Sequence, residues 1–214
     1  MWNAGDPDTA QGILDRMSEA AWLTVVVLLV TEDGSVGSAA GTGGLVVQVG
    51  GQSRSAIVEA LHLAGVQLNV HAQTLLTHPA FDDPLRETLR IVERTVEQLG
   101  FEEGAVQSRV FEAARAQGLE LCPLVAGPYL RLTMMDQANA PDSVLSAGRG
   151  PTGAVHIASE PLSEDVEYPK GFYLRVVDGR AWLRGYRCDD EYVWAPGQRL
   201  AFRSPMPAER RSVS

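Results

Sequence analysis

The strongest constraint on the fold is an Asp178-Gly179 pair that stands between two runs of alternating apolar residues. Both residues readily take the positive φ angles of a two-residue β-turn, so the pattern predicts a hairpin. A turn of this length fixes the register, with Val177 opposite Arg180 and each earlier residue opposite a later one. The chain is therefore expected to contain an antiparallel sheet in its C-terminal part.

This register sorts the hairpin side chains onto two faces, since successive side chains of a strand point to opposite sides. One face is apolar and is predicted to lie on the core: Phe172, Leu174, Val176, Ala181 and Leu183. The other, the Arg–aromatic face, carries Tyr173, Arg175, Val177, Arg180, Trp182, Arg184 and Tyr186. Arginines and rings lie across from each other there and are close enough to stack. This face either stabilises itself as an exposed sheet surface or binds an anionic or planar ligand or an acidic partner.

The composition limits the class of protein. The chain has 214 residues, of which 45% are hydrophobic and 21% charged. These values are typical of a globular protein with one larger or two small domains, and the chain is long enough for a core that needs no disulfide or metal cross-links. The net charge of −9 argues against broad nucleic-acid binding, because basic residues that neutralise phosphates supply most of that affinity. The expected partner is a protein or a small anionic ligand.

Three features favour a bacterial cytoplasmic protein. The apolar run Trp22–Val30 is shorter than the roughly 20 residues of a membrane-spanning helix, and acidic residues precede it in place of a signal peptide's positive start. Cys122 and Cys188 lack the spacing of a zinc site, and free thiols are typical of a reducing compartment. Lys170 is the only lysine, which with heavy use of Ala, Gly, Val and Leu indicates a GC-rich bacterial genome.

Hydrophobic periodicity divides the chain into segments. These are an N-terminal helix and β pair over 1–52, a helical subdomain over 53–118, an antiparallel β subdomain over 119–204 and a disordered tail over 205–214. In the first segment, residues 9–21 are predicted to form the helix, and residues 22–30 and 45–49 the strands. A β pair, a helical middle and a C-terminal antiparallel sheet predict an α+β fold.

Capping and spacing signals place further elements. In the middle segment, one helix begins at Ser53 or Ser55, a second is capped by Asn69, and a third begins at Asp83-Pro84. The third carries apolar residues at helical spacing: Leu85, Leu89, Val92, Val96 and Leu99. A fourth helix is predicted over 102–117. The strands predicted after it, besides the hairpin, are 129–135, 155–158 and 199–203.

A glycine-rich loop over 34–44 follows the first predicted strand, and such loops bind phosphates in nucleotide-binding proteins. This loop lacks the terminal Gly-Lys-Ser/Thr of the Walker pattern. Val46 also stands where the GxGxxG pattern requires its third glycine. Neither a cofactor nor a metal is predicted for this chain.

Two groups of residues offer enzyme chemistry without completing a motif. The acidic loop Cys188–Glu191 contains three consecutive carboxylates, which could hold a metal or transfer protons. Consecutive acids point in different directions, however, and are usually solvated. The second group is Cys122 with His156 or His71 as its base, which requires proximity in the fold.

Three histidines of the helical segment, His62, His71 and His78, could in principle line one site. Their spacing lacks the close ligand pair of a metal-binding helix. They are therefore interpreted as packed or surface histidines.

Two sequence blocks resemble those of a family of small, uncharacterised bacterial proteins. The first is LCPLVAGPYLRLTMMDQ, which ends at Gln137, and the second is GFYLRVVDGRAWLRGY, which ends at Tyr186. The shared patterns are LCPxxxGPxLRLxxxDQ and a C-terminal GFYLRxxDGxxWLRGY hairpin, within a resemblance over Ser55–Trp194. The resemblance implies a helical segment followed by a hairpin, and it carries no activity.

The leading hypothesis is a binding or interaction module of unknown partner, since no complete catalytic motif is present. Its candidate binding residues come from the Arg–aromatic face and the loop after it: Tyr173, Arg175, Arg180, Trp182, Arg184, Tyr186, Tyr192 and Trp194. Tyr, Trp and Arg are the residue types that most often anchor interfaces. The alternative is a small hydrolase-type enzyme that uses the acidic loop or Cys122 with a histidine.

Overall fold

A seven-stranded mixed sheet organises the residues that the computed structural model describes, which are 44–83, 85–143 and 150–206. The strands are β1 Leu45–Gly50, β2 Gln67–Leu68, β3 Arg86–Thr95, β4 Ala105–Val106, β5 Val155–Ile157, β6 Gly171–Val177, β7 Arg180–Tyr186, β8 Val193–Trp194 and β9 Arg199–Ser204. β4 and β8 form a separate antiparallel pair. The large sheet has the order β1-β3-β9-β5-β6-β7-β2, with parallel pairing only between β9 and β5 and between β7 and β2.

Four α-helices accompany the sheet in the described residues: α1 Arg54–Leu63, α2 Val70–Leu76, α3 Gln107–Ala116 and α4 Ala126–Thr133. Short 3-10 helices span Pro79–Asp82 and Glu97–Leu99. None of the described helices has the length and hydropathy that crossing a bilayer requires. Helices beside a largely antiparallel sheet make an α+β protein, which confirms the predicted fold class.

Strands from all three predicted segments share the large sheet: β1 comes from the first, β2 and β3 from the second, and β5, β6, β7 and β9 from the third. The helix predicted over 9–21 and the strand predicted over 22–30 lie outside the described residues. The glycine-rich loop before Gly44 and the tail after Met206 also lie outside them.

The hairpin is confirmed pair by pair. Asp178 and Gly179 have φ angles of 50° and 70°, and β6 pairs with β7 in the predicted register. The apolar face lies in the core as predicted, since Phe172, Leu174 and Leu183 expose none of their surface. A two-residue turn with both φ angles positive thus fixed the pairing of fourteen strand residues, seven on each side.

Two helices are confirmed at their predicted caps. Ser53 Oγ accepts a hydrogen bond from Ala56 N at 3.3 Å at the start of α1, and Asn69 begins α2. The helix predicted over 102–117 begins at Gln107 instead, because Gly104, with a φ of 88°, and the short strand β4 precede it.

The helix predicted from Asp83-Pro84 to Leu99 is wrong, because residues 86–95 form β3. Leu89 and Ile91, two positions apart, both enter the main core, which is strand periodicity. β3 pairs with β1 along one edge and with β9 along the other. Pairing on both edges outweighs the helical spacing of the apolar residues.

The strand predicted over 129–135 is also wrong, because Ala126–Thr133 forms α4. Pro128 lies in the first turn of this helix, where its missing N–H costs no intrahelical hydrogen bond. Gly127 lets the helix approach β6 closely, since a Cβ there would lie 2.6 Å from the Phe172 ring. Tyr129, Leu130 and the partly buried Leu132 of this segment all pack in the main core.

Arg131 joins α4 to the hairpin through a buried polar network. One of its terminal nitrogens, Nη1, donates to Gln137 Oε1 at 2.8 Å and to Trp182 O at 3.5 Å. Gln137 Nε2 in turn donates to Leu174 O at 3.3 Å. Burial lowers the pKa of Arg131 to about 10, with Asp136 acting in the opposite direction, so the guanidinium stays charged at neutral pH.

The sheet carries a hydrophobic core on each face. The helices α1, α2 and α4 cover the first face and form the main core with β1, β3, β6 and β7. The helix α3 covers part of the second face, where it packs with Trp194, Leu200 and Phe202. Alternation places His156, Tyr173 and Arg184 on this second face as well, beyond the area that α3 covers.

Asn69→Ala is expected to lower the free energy of unfolding by about 2 kcal/mol, because one side chain caps α2 and ties it to β7. Its Oδ1 accepts from Ala72 N at 2.9 Å and from Gly185 N at 2.8 Å, and its Nδ2 donates to Gly185 O at 2.9 Å. The matched control is Ser53→Ala, which removes a cap alone and is expected to cost less than about 1 kcal/mol. If urea denaturation gave the same loss of unfolding free energy for the two variants, the hydrogen bonds to Gly185 would contribute nothing to stability.

Candidate binding cleft

A cleft of about 560 Å³ opens on the second face of the sheet, next to the part that α3 covers. His156 of β5, Tyr173 of β6 and Arg184 of β7 line it in one row, because His156 lies opposite Tyr173 and Tyr173 opposite Arg184. The remaining lining residues are Asn69, Val70, His71, Gly150, Pro151, Gly185, Tyr186, Arg187, Cys188, Tyr192, Trp194 and Gln198. A cleft of this volume is in the range of small-molecule binding sites.

Aromatic rings surround His156 at the base of the cleft. The centroid of its imidazole lies 5.2 Å from that of Tyr173, 5.3 Å from that of Tyr186 and 4.7 Å from that of Trp194. The hydroxyl of Tyr186 accepts a hydrogen bond from Gln107 Nε2 at 2.8 Å, which fixes this ring to the start of α3. The cluster is therefore held by the second core and presents ring surfaces to the cleft.

The His156 imidazole is neutral at physiological pH. Only 3% of the residue is exposed, and this burial lowers its pKa to about 4, while a contact with the backbone of Arg199 acts in the opposite direction. Its Nδ1 atom has no hydrogen-bond partner among the described residues. The Nε1 atom of Trp194, in the neighbouring ring, likewise has none among them. Two buried ring nitrogens on neighbouring side chains at the base of the cleft therefore lack a described protein partner.

The charge of the cleft is opposite to that of the protein. The chain has 27 acidic and 18 basic residues, yet the described lining residues include two arginines and no Asp or Glu. Arg184 forms no ion pair with any carboxylate of the described residues. Its guanidinium carbon lies 4.5 Å from the centroid of the Trp182 ring, on which it stacks. The cleft thus presents an unneutralised cation beside aromatic rings.

Arg187 and His71 stand at the other side of the cleft. Arg187 forms an ion pair with Glu167, which offsets part of its charge. Partial burial lowers the pKa of His71, the positive charge of Arg187 lowers it further, and Glu167 acts in the opposite direction. The charge of Arg187 therefore acts on His71 in the same direction as its burial, and both favour a neutral imidazole.

Five of the predicted binding residues line the cleft: Tyr173, Arg184, Tyr186, Tyr192 and Trp194. Tyr192 is half-buried, and its ring centroid lies 6.0 Å from that of Trp194. The loop after β7 therefore returns over the second face and brings its two aromatic residues to the hairpin row. The other three predicted residues, Arg175, Arg180 and Trp182, lie outside the lining.

Arg175 is fully buried and makes internal contacts. Its Nε donates to Thr152 O at 2.9 Å, and one terminal nitrogen, Nη2, donates to Asp142 O at 2.8 Å and to Asp142 Oδ1 at 2.9 Å. These bonds fasten residues 142 and 152, which precede β5 in the chain, to β6. Arg175 therefore positions the backbone next to Gly150 and Pro151 of the cleft.

Arg180 and Trp182 remain on the outer part of the hairpin. Arg180 is exposed, and Trp182 is half-buried beneath the Arg184 guanidinium. Trp182 acts on the cleft indirectly, because it supports the one arginine of the row. The Arg–aromatic face thus has three parts. Arg175 is buried and binds the segment before β5. Arg180 and Trp182 lie outside the cleft, and Tyr173, Arg184 and Tyr186 line it.

The acidic loop does not form a catalytic cluster in the structure. Asp189, Asp190 and Glu191 are exposed, and Asp189 Oδ1 accepts a hydrogen bond from Glu191 N at 3.1 Å. Cys188 lines the cleft, but burial raises its pKa to about 11, with Lys170 opposing and the two aspartates adding to the shift. The thiol is therefore protonated at neutral pH and is a poor nucleophile.

Cys122 lies in the main core and His156 on the opposite face of the sheet. Burial raises the pKa of Cys122 to about 12, and its Sγ lies 3.7 Å from the Ala201 carbonyl oxygen, to which it donates. The sheet thus separates this thiol from His156, and His71, the other histidine proposed as its base, lines the cleft and not the main core. The geometry offers no support for the hydrolase alternative at this position.

The three histidines of the helical segment do not meet in one site. His62 is exposed on α1, His71 lines the cleft, and His78 Nδ1 accepts from Ala80 N at 3.1 Å at the start of a 3-10 helix. Within 44–83, 85–143 and 150–206, no group of three or more His, Cys, Asp or Glu side chains is placed to hold a metal ion.

The sequence patterns did not single out His156, Asn69 or Gln198 as binding residues. A signal for His156 exists, because Val155 and Ile157 are core positions and the residue between them must face the other side of the strand. Its place in the row depends on the pairing of β5 with β6 across a long loop. No local pattern predicts such a pairing.

Comparisons with models of protein families, with curated proteins and with solved structures gave no match for this chain. The expected relation to the uncharacterised bacterial family therefore stays a prediction. The function of the cleft has to be inferred from its own residues.

Proposed function

We propose that the protein is a binding module whose site is the cleft, and that its ligand is a small planar anion. The observation that carries this proposal is a single arginine in the cleft of an acidic protein: Arg184 lines the cleft without a described ion-pair partner, among described lining residues that include no carboxylate. The free cysteines among the described residues suit a reducing compartment, so a bacterial cytoplasmic protein is part of the proposal.

An anion suits this cleft because a guanidinium recognises it by charge and by paired N–H donors. Arginine binds carboxylates and phosphates through two parallel hydrogen bonds, which gives geometric as well as energetic selectivity. Arg184 is held in place by its stacking on Trp182, so less conformational entropy is lost when a ligand binds. His71 and His156 are neutral at pH 7 and do not need a counterion.

A planar ligand suits the cleft because aromatic side chains form much of the cleft's lining. Tyr173, Tyr186, Tyr192 and Trp194 surround the space beside Arg184. Aromatic pairs in offset or edge-to-face contact contribute about 0.5 to 1.5 kcal/mol beyond the area that they bury. A flat aromatic carboxylate would use both features at once, with its ring among the tyrosines and its carboxylate on the guanidinium.

Arg184→Gln is expected to weaken binding of benzoate at least about tenfold, because the substitution keeps a polar side chain and removes the charged fork. The measurement is a two-dimensional NMR titration of the folded protein with benzoate, with benzamide as the uncharged ring and cyclohexanecarboxylate as the anion without an aromatic ring. Wild-type shifts are expected at Tyr173, Tyr192 and Trp194, with weaker binding of both comparison compounds.

The matched control is Arg180→Gln, which removes an exposed arginine of the same hairpin that lies outside the cleft. This variant is expected to bind benzoate like the wild type. Equal weakening in the two variants would mean that the protein responds to total charge, and the proposed site would be abandoned. Absence of any shift at the cleft residues with all three compounds would have the same consequence.

A further inference from the structure

We propose that the ligand is an aromatic carboxylate with a hydroxyl group at the end of the ring opposite the carboxylate. This inference rests on the proposed function and assigns the base of the cleft, which the anion site leaves unused. His156 and Trp194 would recognise the hydroxyl, while Arg184 holds the carboxylate.

The spacing of the row separates the two recognition points. His156, Tyr173 and Arg184 occupy paired positions on three neighbouring strands, and neighbouring strands lie about 4.8 Å apart. The backbone positions of the histidine and the arginine are therefore about 10 Å apart, with the Tyr173 ring between them. A ligand that reaches both side chains must carry its two polar groups at opposite ends of a flat body.

The base of the cleft needs a group that both donates and accepts. The neutral imidazole of His156 has one N–H and one lone pair, and we assign the lone pair to Nδ1 and the N–H to the other ring nitrogen, next to the backbone of Arg199. Nε1 of Trp194 is a donor only. Both nitrogens lack a hydrogen-bond partner among the described residues, and the ring centroids are 4.7 Å apart.

A hydroxyl satisfies both nitrogens with one oxygen atom, since its O–H can donate to Nδ1 of His156 while a lone pair accepts from Nε1 of Trp194. An ether can only accept, and an ammonium group can only donate. Both nitrogens lie beneath the cleft surface, so entry of the hydroxyl requires a small shift of the rings that cover them. The half-buried Tyr192, which packs against Trp194, is one of these rings.

The experiment compares three ligands that share the carboxylate and the ring: benzoate, 4-hydroxybenzoate and 4-methoxybenzoate. The wild type is expected to bind 4-hydroxybenzoate about tenfold more tightly than benzoate by NMR titration or calorimetry. 4-Methoxybenzoate is expected to bind no better than benzoate, because it cannot donate to Nδ1. The ratio of affinities for 4-hydroxybenzoate and benzoate is expected to fall to about one in His156→Phe.

The outcomes separate this inference from the proposed function. If none of the three compounds binds at the cleft, the proposed anion site fails and this inference fails with it. If benzoate and 4-hydroxybenzoate bind the wild type equally, the anion site stands and the hydroxyl recognition is refuted. The three affinities of the wild type test the hydroxyl recognition even if His156→Phe does not fold. If His156→Phe folds and keeps the wild-type ratio of affinities for 4-hydroxybenzoate and benzoate, the role of the histidine is refuted.

Discussion

Arg175→Ala is expected to lower the free energy of unfolding by about 3 kcal/mol, the largest effect of a single substitution on the hairpin's second face. Removal of one partner from a buried ion pair costs about 3 to 5 kcal/mol, because the groups that remain lose their compensation. The lower end applies because the Asp142 side chain is 38% exposed and can be solvated. The carbonyl oxygens of Thr152 and Asp142 lose their donors as well.

The matched control for this prediction is Arg180→Ala, at the other end of the same hairpin. Arg180 is exposed, and surface substitutions of this kind usually change stability by no more than about 0.5 kcal/mol. Arg175→Met distinguishes the contribution of the charge to stability from that of the volume, because the methionine side chain fills much of the same space and carries no charge. Urea denaturation followed by tryptophan fluorescence measures all three. A loss below about 1 kcal/mol in Arg175→Ala would contradict the role of this residue as a clamp.

The contrast between these two arginines shows how far sequence reasoning reaches. The register of the hairpin followed from a local turn, so the partners of Arg175 and Arg180 across the sheet were predictable and are confirmed. What covers each residue was not predictable, because the segment that binds Arg175 comes from residues 142 and 152. Identical side chains on one face therefore took different roles through contacts that are distant in sequence.

The two errors in secondary structure have the same origin. Residues 86–95 carry apolar side chains at spacings that fit a helix or a strand, and pairing with β1 and β9 decides for the strand. Residues 129–133 alternate like a strand but belong to α4, whose close approach to Phe172 of β6 depends on Gly127. The elements marked by the Asn69 cap and the Asp178 turn are confirmed, whereas the cap signal at Asp83-Pro84 is followed by a strand.

The candidate site was predictable only in part for a related reason. Tyr173, Arg184 and Tyr186 share a face through the hairpin register alone, and the structure places all three in the cleft. His156 joins them through a strand that pairs with β6 after a long connection. The position of His156 at the centre of the aromatic cluster therefore depends on which strands pair. From the sequence alone, His156 is a histidine between two apolar positions.

His156 is expected to make the protein less stable as the pH falls below about 6.5. Burial lowers its pKa from 6.5 to about 4 in the native state. Between these two pH values the imidazole is therefore protonated in the unfolded chain and neutral in the native state. The contribution of the neutral imidazole to stability is complete above pH 6.5 and is lost progressively as the pH falls toward 4. At pH 5 the loss is about 2 kcal/mol, since each pH unit below 6.5 corresponds to about 1.4 kcal/mol.

The test compares the free energies of unfolding of the wild type and His156→Phe at pH 7.5, 6.5 and 5.0. Carboxylates that titrate in this range affect both proteins alike, so the difference between the two isolates the histidine. The wild type is expected to lose about 2 kcal/mol relative to the variant between pH 7.5 and pH 5.0. His62→Phe, which replaces an exposed histidine of α1, serves as the control. A difference between wild type and His156→Phe that stays constant with pH would mean that the imidazole is solvated in the native state, and that the base of the cleft is already open to water.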